Sequence, residues 1–165
     1  MTTGDISSNG PSEATKAAAN LIINARRAAL ATLHRTSVHP YVSLVTIAID
    51  NNGWPLMLLS RLAKHTQNLE ANPRASLLFE APNVNGADPL ASARVTVMGL
   101  ASPTSSTTAR ARFLTHHPDA EMYASFSDFA FYAFATHSAH FIGGFGRIFE
   151  IPGPALTAAI HAADS

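Results

Sequence analysis

The stretch Ser60-Arg61-Leu62-Ala63-Lys64-His65-Thr66-Gln67-Asn68-Leu69-Glu70-Ala71-Asn72-Pro73-Arg74-Ala75-Ser76-Leu77-Leu78-Phe79 decides the reading of this chain. An apolar run, Pro55–Leu59, ends in a hydroxyl residue and feeds a helix over Arg61–Asn72, which Pro73 stops before a short buried strand over Arg74–Phe79. Such a strand-to-helix junction suits an anion. Amides of a first helical turn carry partial positive charge, Arg61 and Lys64 add full charges, and Ser60 and Thr66 add hydroxyl donors, so a phosphate monoester fits there. The competing reading is that Ser60 only caps the helix and the basic side chains are solvated.

Upstream, Met1–Pro11 reads as a disordered leader, and Ala18, Leu21, Ile22, Ala25 and Ala29 mark a helix over Ser12–Ala28. Strands follow over Ala29–Leu33 and Tyr41–Asp50, the latter joined through the Asn51-Asn52-Gly53 turn to Pro55–Leu59 as a tight hairpin. Downstream, a turn-rich loop precedes a strand over Ala93–Leu100. Helices are expected over Ser105–His116 and from His117 to Tyr123, and strands over Phe129–Ala135 and Phe145–Ile151. The whole is mainly β with peripheral helices, a small antiparallel barrel formed by residues 12–151, with 152–165 as a C-terminal tail.

The 165 residues, 47% of them apolar, support one domain. Eleven Lys and Arg balance eleven Asp and Glu, and only 13% of residues are charged, so no broad field draws nucleic acid or anionic lipid. With no cysteine, thiolate metal sites and thiol nucleophiles are excluded and redox chemistry requires a bound cofactor. No apolar run reaches the roughly 18–20 residues of a membrane span, and the start lacks the features of a secretory signal; a cytoplasmic location is expected. Gly143-Gly144-Phe145-Gly146 precedes a strand, which fails the context of a dinucleotide loop. The eight histidines stand at no metal-binding spacing, so no metal site is expected, and the aromatic run from Phe126 to Phe134 reads as core.

The Ser60–Phe79 stretch, together with Ala91-Ser92-Ala93-Arg94-Val95-Thr96-Val97-Met98-Gly99, Asp88-Pro89-Leu90-Ala91 and His140-Phe141-Ile142-Gly143-Gly144-Phe145-Gly146-Arg147, resembles the pyridoxamine 5′-phosphate oxidase-like FMN-binding split-barrel family, and within it the haem-utilisation type. The resemblance runs from Ala18 to Ile151. It implies a six-stranded antiparallel split β-barrel that forms a homodimer, with FMN in clefts at the interface and a small-molecule substrate. By that resemblance Lys64 and His65 grip the FMN phosphate, helped by Arg61 and Thr66; Ser60 stands near the flavin; Ser43 and Thr46 reach the ring edge; and Arg94 reaches toward the partner's flavin. Where the family's usual Arg and Lys lie along the flavin, this chain has Val42 and Ile47, and no counterpart of the oxidase's C-terminal Trp and Arg is found. The resemblance thus implies a flavin-dependent oxidoreductase acting by hydride transfer at flavin N5. The alternatives are a haem-binding protein using the same cleft, for which the haem-utilisation resemblance implies ligation by His137 or His140 against the competing reading of both as surface residues, a non-catalytic flavin binder, or F420 as the ligand.

Overall fold

The computed structural model describes residues 10–83 and 86–164. Along the chain run α1 (Gly10–Asn24), β1 (Arg27–Leu33), β2 (Pro40–Thr46), β3 (Ala48–Ile49), β4 (Pro55–Ser60), α2 (Lys64–Ala71), β5 (Arg74–Glu80), β6 (Arg94–Pro103), α3 (Thr107–His116), β7 (Phe129–Ile142), β8 (Ile148–Pro152) and α4 (Gly153–Ala163). One-turn 3-10 helices lie at Pro89–Ala91 and Pro118–Met122.

All described pairings are antiparallel, in the order β2-β1-β5-β6-β7-β4-β3, with β8 added alongside β7. β2 and β3 stand at opposite ends of this ladder, yet only Ile47 separates them in the chain. The sheet must therefore curl until its two ends meet, which makes the split barrel. Counted with β2 and β3 as one interrupted strand, the ladder has the six expected strands, and β8 is an addition. The expected Tyr41–Asp50 strand is divided between two partners: Arg27 lies opposite Thr46 across β1, whereas Ala48 lies opposite Leu56 across β4.

Ile47 is fully buried at this seam. Its N–H donates to the Arg26 carbonyl at 3.0 Å, and its carbonyl accepts a hydrogen bond from Nε2 of the buried His117 at 2.7 Å. A residue that leaves one ladder to join another loses its regular partners, and a buried amide left unpaired is costly; here both groups are satisfied from outside the sheet.

Two apolar clusters flank the sheet. The barrel interior holds Leu30, Val45, Ile47, Met57, Leu77, Phe79, Val97 and Phe134, closed over by Ile22 of α1 and by Leu156 and Ile160 of α4. The second cluster sets Leu56, Leu58 and Phe131 against Ala109 and Phe113 of α3. β4 is thus covered on both faces, which explains its unbroken apolar run.

Several boundaries differ from expectation: α2 begins at Lys64 rather than Arg61, β7 continues past Ala135 to Ile142, and β8 begins at Ile148 rather than Phe145. α1 begins at Gly10 and ends at Asn24 rather than running over Ser12–Ala28, because pairing of Arg27 and Ala28 with β2 prevails over continued helix. Of the expected leader, residues 1–9 lie outside the described residues, and Gly10 and Pro11 are helical. Residues 153–163, expected as a tail, form α4, whose Leu156 and Ile160 one turn apart are both fully buried. Among the described residues no helix is long and apolar enough to cross a membrane.

Replacing His117 by Ala leaves the Ile47 carbonyl buried without a donor and removes the ring packed 4.9 Å from Phe113. Urea unfolding followed by circular dichroism is expected to show a loss of about 1–3 kcal/mol.

Candidate functional site

The junction from β4 to α2 is tied down by its own hydroxyl residues. The Thr66 hydroxyl donates to the Ser60 carbonyl at 2.6 Å, and the Ser60 hydroxyl donates to Asp128 Oδ2 at 3.1 Å while accepting from the Leu62 N–H at 3.2 Å. Asn68, fully buried, donates through Nδ2 to Thr32 Oγ1 and accepts at Oδ1 from the Arg35 N–H, both at 3.0 Å, which fastens α2 to β1 and the turn beyond it. These bonds engage both hydroxyls expected at the site. Thr66 is wholly buried and its single proton is committed. The hydroxyl of Ser60 is spent on a carboxylate, and that negative charge opposes an anion at the same spot. Both residues shape the corner through these bonds.

What remains open to a ligand is narrower than expected. Helix α2 starts at Lys64, and its N-cap residue Ala63 provides no side-chain cap; beside this start Arg61 and Lys64 are exposed and form no salt bridge among the described residues. His65 is half-buried, with Nδ1 3.0 Å from the Ser43 hydroxyl. Burial lowers its pKa below the ordinary 6.5, so at neutral pH the ring is an uncharged partner of Ser43.

The structure brings Ser43, Arg61, Lys64 and His65 to one corner but not Thr46 or Arg94. Along β2, Tyr41, Ser43 and Val45 are the more buried residues, whereas Val42, Leu44 and Thr46 are exposed on the other face; Thr46 thus points away from Ser43. Arg94 sits opposite Glu80, at the far end of β5 and β6 from α2, and its guanidinium donates to the carbonyls of Leu90 and Ser92. Of the two positions departing from the family's basic pair, Val42 is exposed on the outer face and Ile47 is the buried seam residue.

A second feature was not legible in the sequence. The outer face of the sheet carries a groove of about 710 Å³ lined by residues from five strands, among them Ala31 and Leu33 of β1, Pro40 of β2, Arg74 of β5, Met98 and Leu100 of β6, and His137 of β7. Its floor is apolar. Arg74 donates from Nε to Asn72 Oδ1 at 3.1 Å, which aims the guanidinium while leaving its terminal nitrogens available. Thr32 also lines this groove, so the Asn68 bond connects it to the α2 corner.

A curled antiparallel ladder with helices at its periphery and an open outer face defines the split-barrel class. Residues 9–157 match the family model described as CREG, beta-barrel, and the chain belongs to that family. It is 31% identical over 114 residues to the non-canonical heme oxygenase HOZ, chloroplastic, of Arabidopsis thaliana, covering 67% of this chain and 34% of that protein. The solved structure of a heme binding protein from Mycobacterium smegmatis is 34% identical, with a TM-score of 0.82 over 88% of this chain and 60% of the other. This chain thus spans about a third of the plant protein and three-fifths of the mycobacterial one. A Clostridium acetobutylicum protein related to general stress protein 26, of the pyridoxinephosphate oxidase family, shares the fold at 10% identity, with a TM-score of 0.61 over 81% of this chain and 89% of its own.

Folding holds His65 less readily protonated than in the unfolded chain, so its contribution to stability is fully present above pH 6.5 and is lost as the pH falls through the lowered folded-state value. NMR titration of the His65 ring is expected to give a midpoint below 6.5, and His65→Gln is expected to flatten part of the loss of stability on acidification.

Proposed function

We propose that this chain binds haem in the outer groove, between two copies of itself. The observation that carries this reading is the groove: an apolar floor wide enough for a planar cofactor, with a guanidinium on one wall and an imidazole on another. That set fits the group. A porphyrin presents apolar faces and anionic carboxylate arms, which the floor and Arg74 respectively match. Two haem-named relatives at 31% and 34% identity support the same reading. Haem supplies an iron that can bind dioxygen or carry electrons; this chain supplies the apolar seat, the carboxylate partner and exclusion of water.

The homodimer follows from the same face. Val42, Leu44, Met98 and Leu100 are exposed there, and side chains of this kind on one sheet face call for a cover. The groove covers one side of a flat ligand, and a second copy covers the other. The small residues Ala29 and Ala31, intermediate in exposure on β1, let another sheet approach closely.

A second reading, FMN binding with flavin-dependent oxidoreduction, is favoured by the uncapped start of α2 beside Arg61, Lys64 and His65. It lacks the hydroxyl donors of Ser60 and Thr66, which are committed elsewhere.

Titration of the purified chain with ferric haem is expected to give a saturable Soret band at one haem per chain, and light scattering a particle of twice the 17.4 kDa chain mass. Leu44→Asp should yield monomers with haem affinity reduced at least tenfold. Saturable FMN fluorescence quenching that Lys64→Ala abolishes, with no Soret band, would replace the first reading by the second.

A further inference from the structure

We infer that His137, lifted out of the sheet by a β-bulge, is the axial ligand to the iron of a haem seated in the outer groove. The inference rests on the haem-binding reading and adds to it the atom that meets the metal.

The bulge is visible in the register. Met98 lies opposite Ser138, but the next residue, Gly99, lies opposite Thr136, so His137 has no counterpart on β6. The core explains why. Phe134 and Ala139 are both fully buried in the barrel interior yet lie an odd number of positions apart; strict alternation would put one of them outside, and one extra residue between them restores both to the core. The strand places that extra residue on the groove side, where His137 is exposed and joins the lining.

Two glycines hold the bulge in place. A Cβ on Gly99 of β6 would overlap the Ala135 carbonyl, and a Cβ on Gly153, at the start of α4, would overlap the carbonyls of Thr136 and His137. Backbone from β6 and α4 thus closes on the bulge from two directions, and its position does not depend on the His137 side chain. A ligand-bearing residue gains from such support, since a displaced imidazole binds metal poorly.

The ring itself is uncommitted. No hydrogen bond or ion pair of the His137 side chain is found among the described residues. Three other histidines are engaged elsewhere: His140 faces Glu150 at 3.7 Å, His117 is bonded to Ile47 and His65 to Ser43. The groove lining includes one imidazole and no carboxylate. A bare divalent cation would find a single protein ligand there, too few for a stable site. A haem iron brings four nitrogen ligands of its own and needs only an axial base.

The test is ferric haem titration of the full chain and of His137→Ala, His137→Met and His140→Ala, read by absorbance and electron paramagnetic resonance. Wild type and His140→Ala are expected to share one spectrum. His137→Ala should shift the Soret band and weaken binding at least tenfold, with added imidazole restoring the wild-type spectrum. His137→Met should give a distinct thioether-ligated spectrum. A His137→Ala protein with wild-type spectrum and affinity would overturn the assignment while leaving haem binding intact; failure of the wild type to bind haem would overturn the haem-binding reading and this inference together.

Discussion

The barrel depends on the backbone of one residue. Ile47 is where the chain leaves the ladder with β1 and joins the one with β4, so closure of the curled sheet runs through this residue. Its two peptide groups are satisfied by the Arg26 carbonyl and the His117 imidazole, so closure draws on the end of α1 and on the turn after α3. The peripheral helices are thereby part of the closure. Without that seam the outer face would flatten, and the groove spanning β1, β5, β6 and β7 would lose its curvature.

The second constraint lies across the barrel, where interior packing dictates exterior chemistry. Keeping both Phe134 and Ala139 inside costs β7 its regular register, and the residue released is a histidine on the groove side. Bulges recur beside binding sites because they re-aim a side chain without moving the element that bears it. Here small residues at 99 and 153 make room for the carbonyls that the bulge displaces.

Legibility in the sequence followed chain locality. The α2 corner was readable because Arg61, Lys64 and His65 are contiguous and the Pro73 stop fixes the helix. Commitment of the Ser60 and Thr66 hydroxyls was not readable, since Asp128 reaches Ser60 from 68 positions away. The groove was invisible because five strands build it, β1, β5, β6 and β7 contributing three residues each and β2 contributing Pro40. β7 was cut short at Ala135, where alternation slips; the odd interval between Phe134 and Ala139 was the available signal of a bulge. α4 was missed although Pro154 near its start and the Leu156–Ile160 spacing carry a helix signature.

Asn68 spans the two regions: its amide grips Thr32 and the backbone of Arg35, and Thr32 stands in the groove wall. Substitutions that reshape either region must keep that amide seated, because a buried amide stripped of its partners is penalised at once. The charge at the helix start and the contour of the sheet face are thus mechanically joined through one side chain.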